Sequence, residues 1–169
     1  MAEKKRVGIL FESPPPEEVE QLRQKASDYG LGLYEQEVGN NKPLFEALQN
    51  VLQHSDVLLA IPAPAIYNSS TLRNILVSTY QTRIPLVGFS SAYVKAGATC
   101  AVYSTPMQFA SQAGAATRKY IETNALPAAQ YPKYYEVAVN ERVAQSLGID
   151  LRNPDELARK MATIKRRAP

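Results

Sequence analysis

The sequence is poor in the side chains that bind metals and carry out nucleophilic chemistry: it has one cysteine, Cys100, and one histidine, His54. A single thiol excludes an intramolecular disulfide, and one residue of each kind cannot build a zinc site. The lack of a bridge suits the cytosol and equally a bridge-free periplasmic protein. Cys100 lies in the apolar run Thr99–Tyr103, where a thiol behaves as a small buried hydrophobe. A nucleophile would need a basic partner, and His54 falls at the end of a different helical pattern, where it reads as a partly exposed helix-end residue. No run approaches the ~20 apolar residues of a membrane span. The basic start Met1–Arg6 is followed only by Val7–Phe11, too short for the apolar part of a leader. The expectation is either a cytosolic protein or one from which a leader and more have been removed.

Phosphate and metal motifs are missing as well. Gly30-Leu31-Gly32 follows a helical pattern, whereas a dinucleotide fingerprint follows a strand and opens a helix. There is no P-loop. A phosphoacceptor site needs an acidic cluster at strand ends, and those ends offer Glu12 alone, since Asp56 stands at the start of its strand. Phe89-Ser90-Ser91-Ala92 lacks the flanking glycine of a nucleophile elbow, and His54 falls at the opposite end of the sheet. The chain is therefore expected to need no cofactor, to bind no metal and not to be an enzyme. Nor does it carry the basic face with interleaved aromatics of a nucleic-acid binder. Its net charge is only +3, and the tail Lys160, Lys165, Arg166, Arg167 reads as a solvated helix end, where cations suit the helix dipole.

What remains is ordinary globular material. With 169 residues, 45% apolar and 21% charged, the chain is long enough for one domain with a real core. Short apolar runs alternate with helical periodicity. Strands are predicted near Val7–Phe11, Leu33–Val38, Asp56–Ile61, Leu86–Phe89 and Thr99–Tyr103, with a sixth at Tyr135–Val139. Helices are predicted over Pro16–Tyr29, with Val19, Leu22, Ala26 and Tyr29 inward and Gly30 and Gly32 as stops, and over Pro43–Gln53 after a turn at Gly39-Asn40-Asn41. Another helix is capped by Ser69 or Ser70, and a short one spans Ser90–Lys95. A long helix, Pro106–Asn124, shows Phe109, Ala113, Ala116 and Tyr120 on one face. A further short helix spans Glu141–Leu147. A last helix, Pro154–Arg166, buries Leu157, Met161 and Ile164. The pattern implies one α/β domain over 1–169, a Rossmann-like parallel sheet flanked by helices. Ligands of such sheets bind outside the carboxyl ends of the strands. That places Ser13, Tyr67, Asn68, Ser90, Ser91, Tyr93, Tyr103 and Ser104 as candidate ligand-binding residues, the tyrosines lining an apolar pocket with polar handles.

Two segments, Ile84–Glu122 and Leu126–Leu151, sharpen this. Tyr93–Ala98 (YVKAGA), Ser111–Gly114 (SQAG) and Val137–Ile149, in that order, resemble the C-terminal half of ABC transporter substrate-binding proteins of the tryptophan-binding-like, otherwise uncharacterised, periplasmic family. RVGILFE at the start is similar to the first strand of that half. The resemblance implies a type I periplasmic-binding-protein lobe that holds a small-molecule solute, without catalysis, against a second lobe and delivers it to an ABC permease in the full-length protein. It also implies that Pro106–Asn124 crosses to the other lobe. Where that family carries acidic or amide groups, this chain has Ala63-Pro64-Ala65 and Ser90-Ser91-Ala92, so a ligand ammonium would lack its expected carboxylate. A stand-alone cytosolic sensor or protein-interaction domain with the same fold is the alternative. The compartment is expected to be periplasmic for a fragment of a secreted protein and cytoplasmic otherwise. A lobe without its partner would expose apolar surface around Tyr67, Tyr93, Tyr103 and Phe109, so a homodimer joined through Pro106–Asn124 is expected.

Overall fold

The structure, a computed structural model, describes residues 6–39, 42–151 and 153–165, with the side chains of 162–165 excepted. The basic start before Arg6, the turn residues Asn40 and Asn41, the Ile164 side chain and the basic tail (Lys165 side chain, Arg166, Arg167) lie outside the described residues. Among the described residues six strands are formed: β1 (Arg6–Glu12), β2 (Gly32–Val38), β3 (Val57–Leu59), β4 (Leu86–Gly88), β5 (Cys100–Tyr103) and β6 (Glu136–Val139). Seven helices accompany them: α1 (Glu17–Asp28), α2 (Leu44–His54), α3 (Leu72–Gln81), α4 (Ser91–Ala96), α5 (Pro106–Thr123), α6 (Glu141–Ser146) and α7 (Pro154–Lys165).

The sheet order is β2-β1-β3-β4-β5-β6. The first five strands are parallel, as the apolar runs and intervening helices predict. Right-handed crossovers put α1 on one face and α2, α3 and α4 on the other. The core divides accordingly. Ile9, Phe11, Val19 and Ile61 pack on the α1 side. Leu10, Leu48, Val51, Leu58, Ile66, Ile75 and Leu86 form the larger cluster on the other side. The order reverses between β1 and its two neighbours, so the carboxyl ends of β1 and β3 flank the switch point of the sheet.

β6 is antiparallel to β5, with Cys100 opposite Val139 and Tyr103 opposite Glu136. The β–α alternation implies a parallel strand, and the reason it fails is visible in the route of the chain. β5 leaves the sheet at its carboxyl edge. α5 and the Pro-punctuated connection stay beyond that edge, and the chain re-enters where it left.

Other local expectations are corrected. Tyr29 caps the end of α1 and is exposed instead of packing inward. Gly30, at φ 65, ends that helix, whereas Gly32 already belongs to β2. Neither Ser69 nor Ser70 caps α3. The N-cap position belongs to Thr71, which makes no side-chain cap bond there, and Asn68 Oδ1 accepts from the N–H groups of Ser70 (3.0 Å) and Thr71 (3.3 Å) in the turn that leads into the helix. At α5 the sequence rule holds. Thr105 Oγ1 accepts from Gln108 N–H (3.2 Å) while Gln108 Oε1 accepts from Thr105 N–H (2.9 Å), a capping box with Pro106 at the first helical position. Leu157 and Met161 of α7 are half-buried.

Candidate functional site

The carboxyl edge of the sheet is built from four chain exits: Glu12-Ser13 after β1, the loop 60–71 after β3, Phe89–Ser91 after β4 and Ser104-Thr105 after β5. The first two are tied together, because Glu12 Oε1 accepts from the backbone N–H of Ala65 at 3.0 Å. This brings a carboxylate into the loop where the sequence itself has only Ala63-Pro64-Ala65. The Ser13–Pro14 peptide is cis.

The β3 loop is held by Asn68. Besides its two accepting bonds, its Nδ2 donates to the carbonyls of Pro64 (2.9 Å) and Ala65 (3.2 Å). The Asn68 side chain is thus committed to shaping the loop, and its placement at the edge is structural work.

Beneath this loop lies an aromatic cluster. Tyr93 and Phe89 rings are 4.6 Å apart, and Tyr67 stands 6.4 Å from each. Only a glycine at 88 permits this, since a Cβ there would lie 2.6 Å from Tyr93 Cβ. The expectation that Tyr67 and Tyr93 line an open pocket is not met, because both are buried in the core cluster. The loop folds Tyr67 back over the sheet, where its apolar ring gains more from burial than its hydroxyl loses. Tyr93 O–H donates a long bond (3.5 Å) to the Tyr67 carbonyl. Among the described residues the Tyr67 hydroxyl has no hydrogen-bond partner. Burial, and secondarily the neighbouring Tyr93, drive its pKa far up, so the phenol stays protonated. Burial also raises Tyr93.

Three predicted residues face the edge itself. Ser13 is exposed, and Ser90 and Ser91 are half-buried at the start of α4; among the described residues none of the three hydroxyls is paired. Tyr103 and Ser104 serve β6 and its approach instead: Tyr103 O–H donates to Glu136 Oε2 (3.3 Å), and Ser104 Oγ donates to the Tyr134 carbonyl (2.7 Å). Glu12 and Phe89 are the edge residues missing from the sequence-derived set. The signal for Glu12 was present, as the sole acid at those strand ends. Among the described residues no group of three or more His, Cys, Asp or Glu could hold a metal ion. The edge therefore offers neutral donors and acceptors, one carboxylate and an aromatic floor.

A groove of about 710 Å³ lies elsewhere, between α3, the end of α4 and Val143 of α6. No helix among the described residues is long and apolar enough to cross a membrane.

Comparison with known proteins gives a consistent picture. A family model for ABC transporter substrate binding protein matches residues 2–163. No curated protein is matched. Among solved structures, a conserved domain protein from Vibrio cholerae O1 biovar El Tor is similar at a TM-score of 0.66 and 22% identity, over 89% of this chain and 52% of that one. A ligand-free, open substrate-binding protein with adhesive properties from Clostridium difficile gives 0.68 and 17%, over 90% and 53%. An ABC domain in complex with L-Trp from Streptococcus pneumonia gives 0.67 and 19%, over 92% and 55%. The chain spans about half the length of these structures, which share its fold.

Proposed function

The chain belongs to the ABC transporter substrate-binding protein family, and we propose that it holds a small solute, untransformed, at the carboxyl edge of its sheet. The observation that carries this reading is that the hydroxyls of Ser13, Ser90 and Ser91, unpaired among the described residues, belong to the same carboxyl edge as the Glu12 carboxylate. Glu12 and Ser13 stand at the switch point between β1 and β3, where parallel α/β sheets take their ligands, and Ser90 and Ser91 follow the next strand, β4, at the same carboxyl edge. Such an edge is one wall of a cleft. A second lobe of matching topology supplies the other wall and closes by hinge motion. Delivery to an ABC permease, outside the cytoplasm, is the role that follows for the complete two-lobed assembly.

Glu12 points to the class of solute. Its Oε1 is engaged by Ala65 N–H, which orients the carboxylate and leaves acceptor capacity on the second oxygen. An ammonium group gains a charge-assisted bond there, and a planar side chain can lie toward Phe89. An amino acid with an aromatic side chain fits, in keeping with the L-Trp seen in the pneumococcal structure. Titration calorimetry with L-tryptophan and with indole-3-propionate, which lacks the ammonium, tests this. The native chain is expected to prefer tryptophan, and Glu12→Gln to lose that preference. An unchanged preference in the variant would remove Glu12 from the site.

A further inference from the structure

The apolar face of α5, with Met107 75% and Ile121 76% exposed, lies on the side that a second lobe covers in a two-lobed assembly. The groove of about 710 Å³ lies elsewhere. It sits on the side of the sheet that carries α2, α3 and α4, and it follows α3 away from the carboxyl edge. Its long wall is one face of that helix: Leu72, Arg73, Leu76, Val77, Tyr80 and Gln81 recur at the i, i+4, i+8 spacing of a single stripe. Leu76 is buried, whereas Val77 (48% exposed) and Tyr80 (53%) present apolar surface to water. The opposite wall is low, because α4 has only six residues and stops at Gly97, at φ 122. A Cβ on Gly97 would meet nothing within 4 Å, so the space past the end of α4 is open. Val143 of α6 borders it on the far side.

We propose that this groove is a second binding site, and that its occupant is a free carboxylate with an unbranched apolar chain of about eight carbons. Charge selects the anion. Arg73 is the sole charged residue among the described residues that line the groove. It is exposed, and among the described residues its guanidinium has no hydrogen bond or ion pair. No aspartate or glutamate occurs between Asp56 and Glu122, so neither α3 nor α4 brings an acid to compete for it. Glu141 is two residues from Val143, about 200° round α6, and so stands on the other side of that helix. One guanidinium matches one carboxylate, two parallel N–H donors to two oxygens. A zwitterionic amino acid would bring an ammonium that finds no acid there, so the groove and the edge beside Glu12 select opposite charges. Size selects a small molecule. Ten residues line the groove, against about 20–30 a side in a specific protein interface, while its volume falls within the range of small-ligand sites. From Arg73 to Tyr80 the helix rises about 10 Å, the reach of about eight carbons in an extended chain. The chain lies over Leu76 and Val77 and ends at the Tyr80 ring.

An amide chemical-shift titration with hexanoate, octanoate, decanoate and dodecanoate, kept below micelle-forming concentrations, tests this, with octanol as the uncharged comparison. Shifts are expected at Leu76, Val77, Tyr80, Ala96 and Val143. Affinity should rise about two- to fourfold per added methylene as far as octanoate or decanoate, then level off once the chain outruns α3. Arg73→Gln should weaken octanoate about three- to tenfold and leave octanol unchanged. Ala96→Trp fills the groove from its low wall and should abolish binding of both. Arg73 and Ala96 are exposed, so little folding cost is expected, and the unliganded spectra verify the fold. No shift at millimolar octanoate, equal affinity for octanoate and octanol, affinity still climbing at dodecanoate, or either variant binding as the native chain does would each overturn the proposal. So would shifts confined to Glu12, Ser13 and Phe89–Ser91. Groove shifts that follow protein concentration alone would give the surface to a second copy, and Arg73-dependent flotation with phosphatidylglycerol vesicles would give it to a membrane; either result overturns the proposal as well.

Discussion

Gly88 and Tyr67 are the two residues on which the site's floor depends. A methyl group at 88 would lie 2.6 Å from Tyr93 Cβ and 2.9 Å from its ring. Gly88→Ala should therefore cost about 1–3 kcal/mol, the range for overpacking a filled core, measured as a drop in the urea midpoint; an unchanged midpoint would mean that α4 does not sit on β4 as described. Tyr67 works in the opposite direction. Its hydroxyl is buried and, among the described residues, without a partner, and an orphaned polar group costs about 1–3 kcal/mol. Tyr67→Phe keeps the ring and removes the orphan, so the midpoint should rise; a fall would show that the hydroxyl is satisfied in solution. Cys100 supplies a check on burial from pH. Burial raises its thiol pKa, so less thiolate forms at pH 8 than in the unfolded chain, and alkylation by iodoacetamide should be slower in the native protein. Equal rates would contradict the packing of β5. The sequence places Tyr67 and Tyr93 at strand ends, but residue type and position along the chain say nothing about which way a loop folds, and here the loop folds them inward.

Among elements, strands were more legible than caps or directions. VGILF and DVLLAI are apolar almost without interruption because both faces of a central parallel strand are covered, and this reads directly as β1 and β3. The direction of β6 leaves no trace in EVAV, because period-two patterning is the same for parallel and antiparallel neighbours. What sets it is the excursion of α5. Caps divide likewise. The Thr105-Pro106 start was recognisable from residue types, whereas Ser69-Ser70 looked like a cap but α3 starts later, after Thr71, and Asn68 ties the turn ahead of it by bonding both sides of the loop. Thr105→Ala should cost about 1 kcal/mol of helix stability and expose the first turn. Hydrogen exchange at the Gln108 amide, which donates to Thr105 Oγ1 at 3.2 Å, is expected to speed up. An unaltered rate would show that the cap does not hold α5.

At the scale of the whole molecule, one half-length chain presents two unfinished surfaces: a carboxyl edge rich in unpaired hydroxyls, and an apolar helix face turned away from its own sheet. Both were foreshadowed by the order of motifs. The inward burial of the tyrosines and the contribution of Glu12 to the β3 loop were not, since both depend on contacts between segments far apart in sequence. On the proposed reading the edge is one wall of a cleft and binds weakly alone, so the informative measurement is one that locates the contact. Amide chemical-shift mapping of the 18.6 kDa chain against millimolar panels of amino acids and hexoses meets that need. Shifts confined to Glu12, Ser13, Ala65–Asn68 and Phe89–Ser91 are predicted for at least one solute. Shifts gathered instead around Leu76, Tyr80 and Val143, in the groove between α3, α4 and α6, would contradict the account.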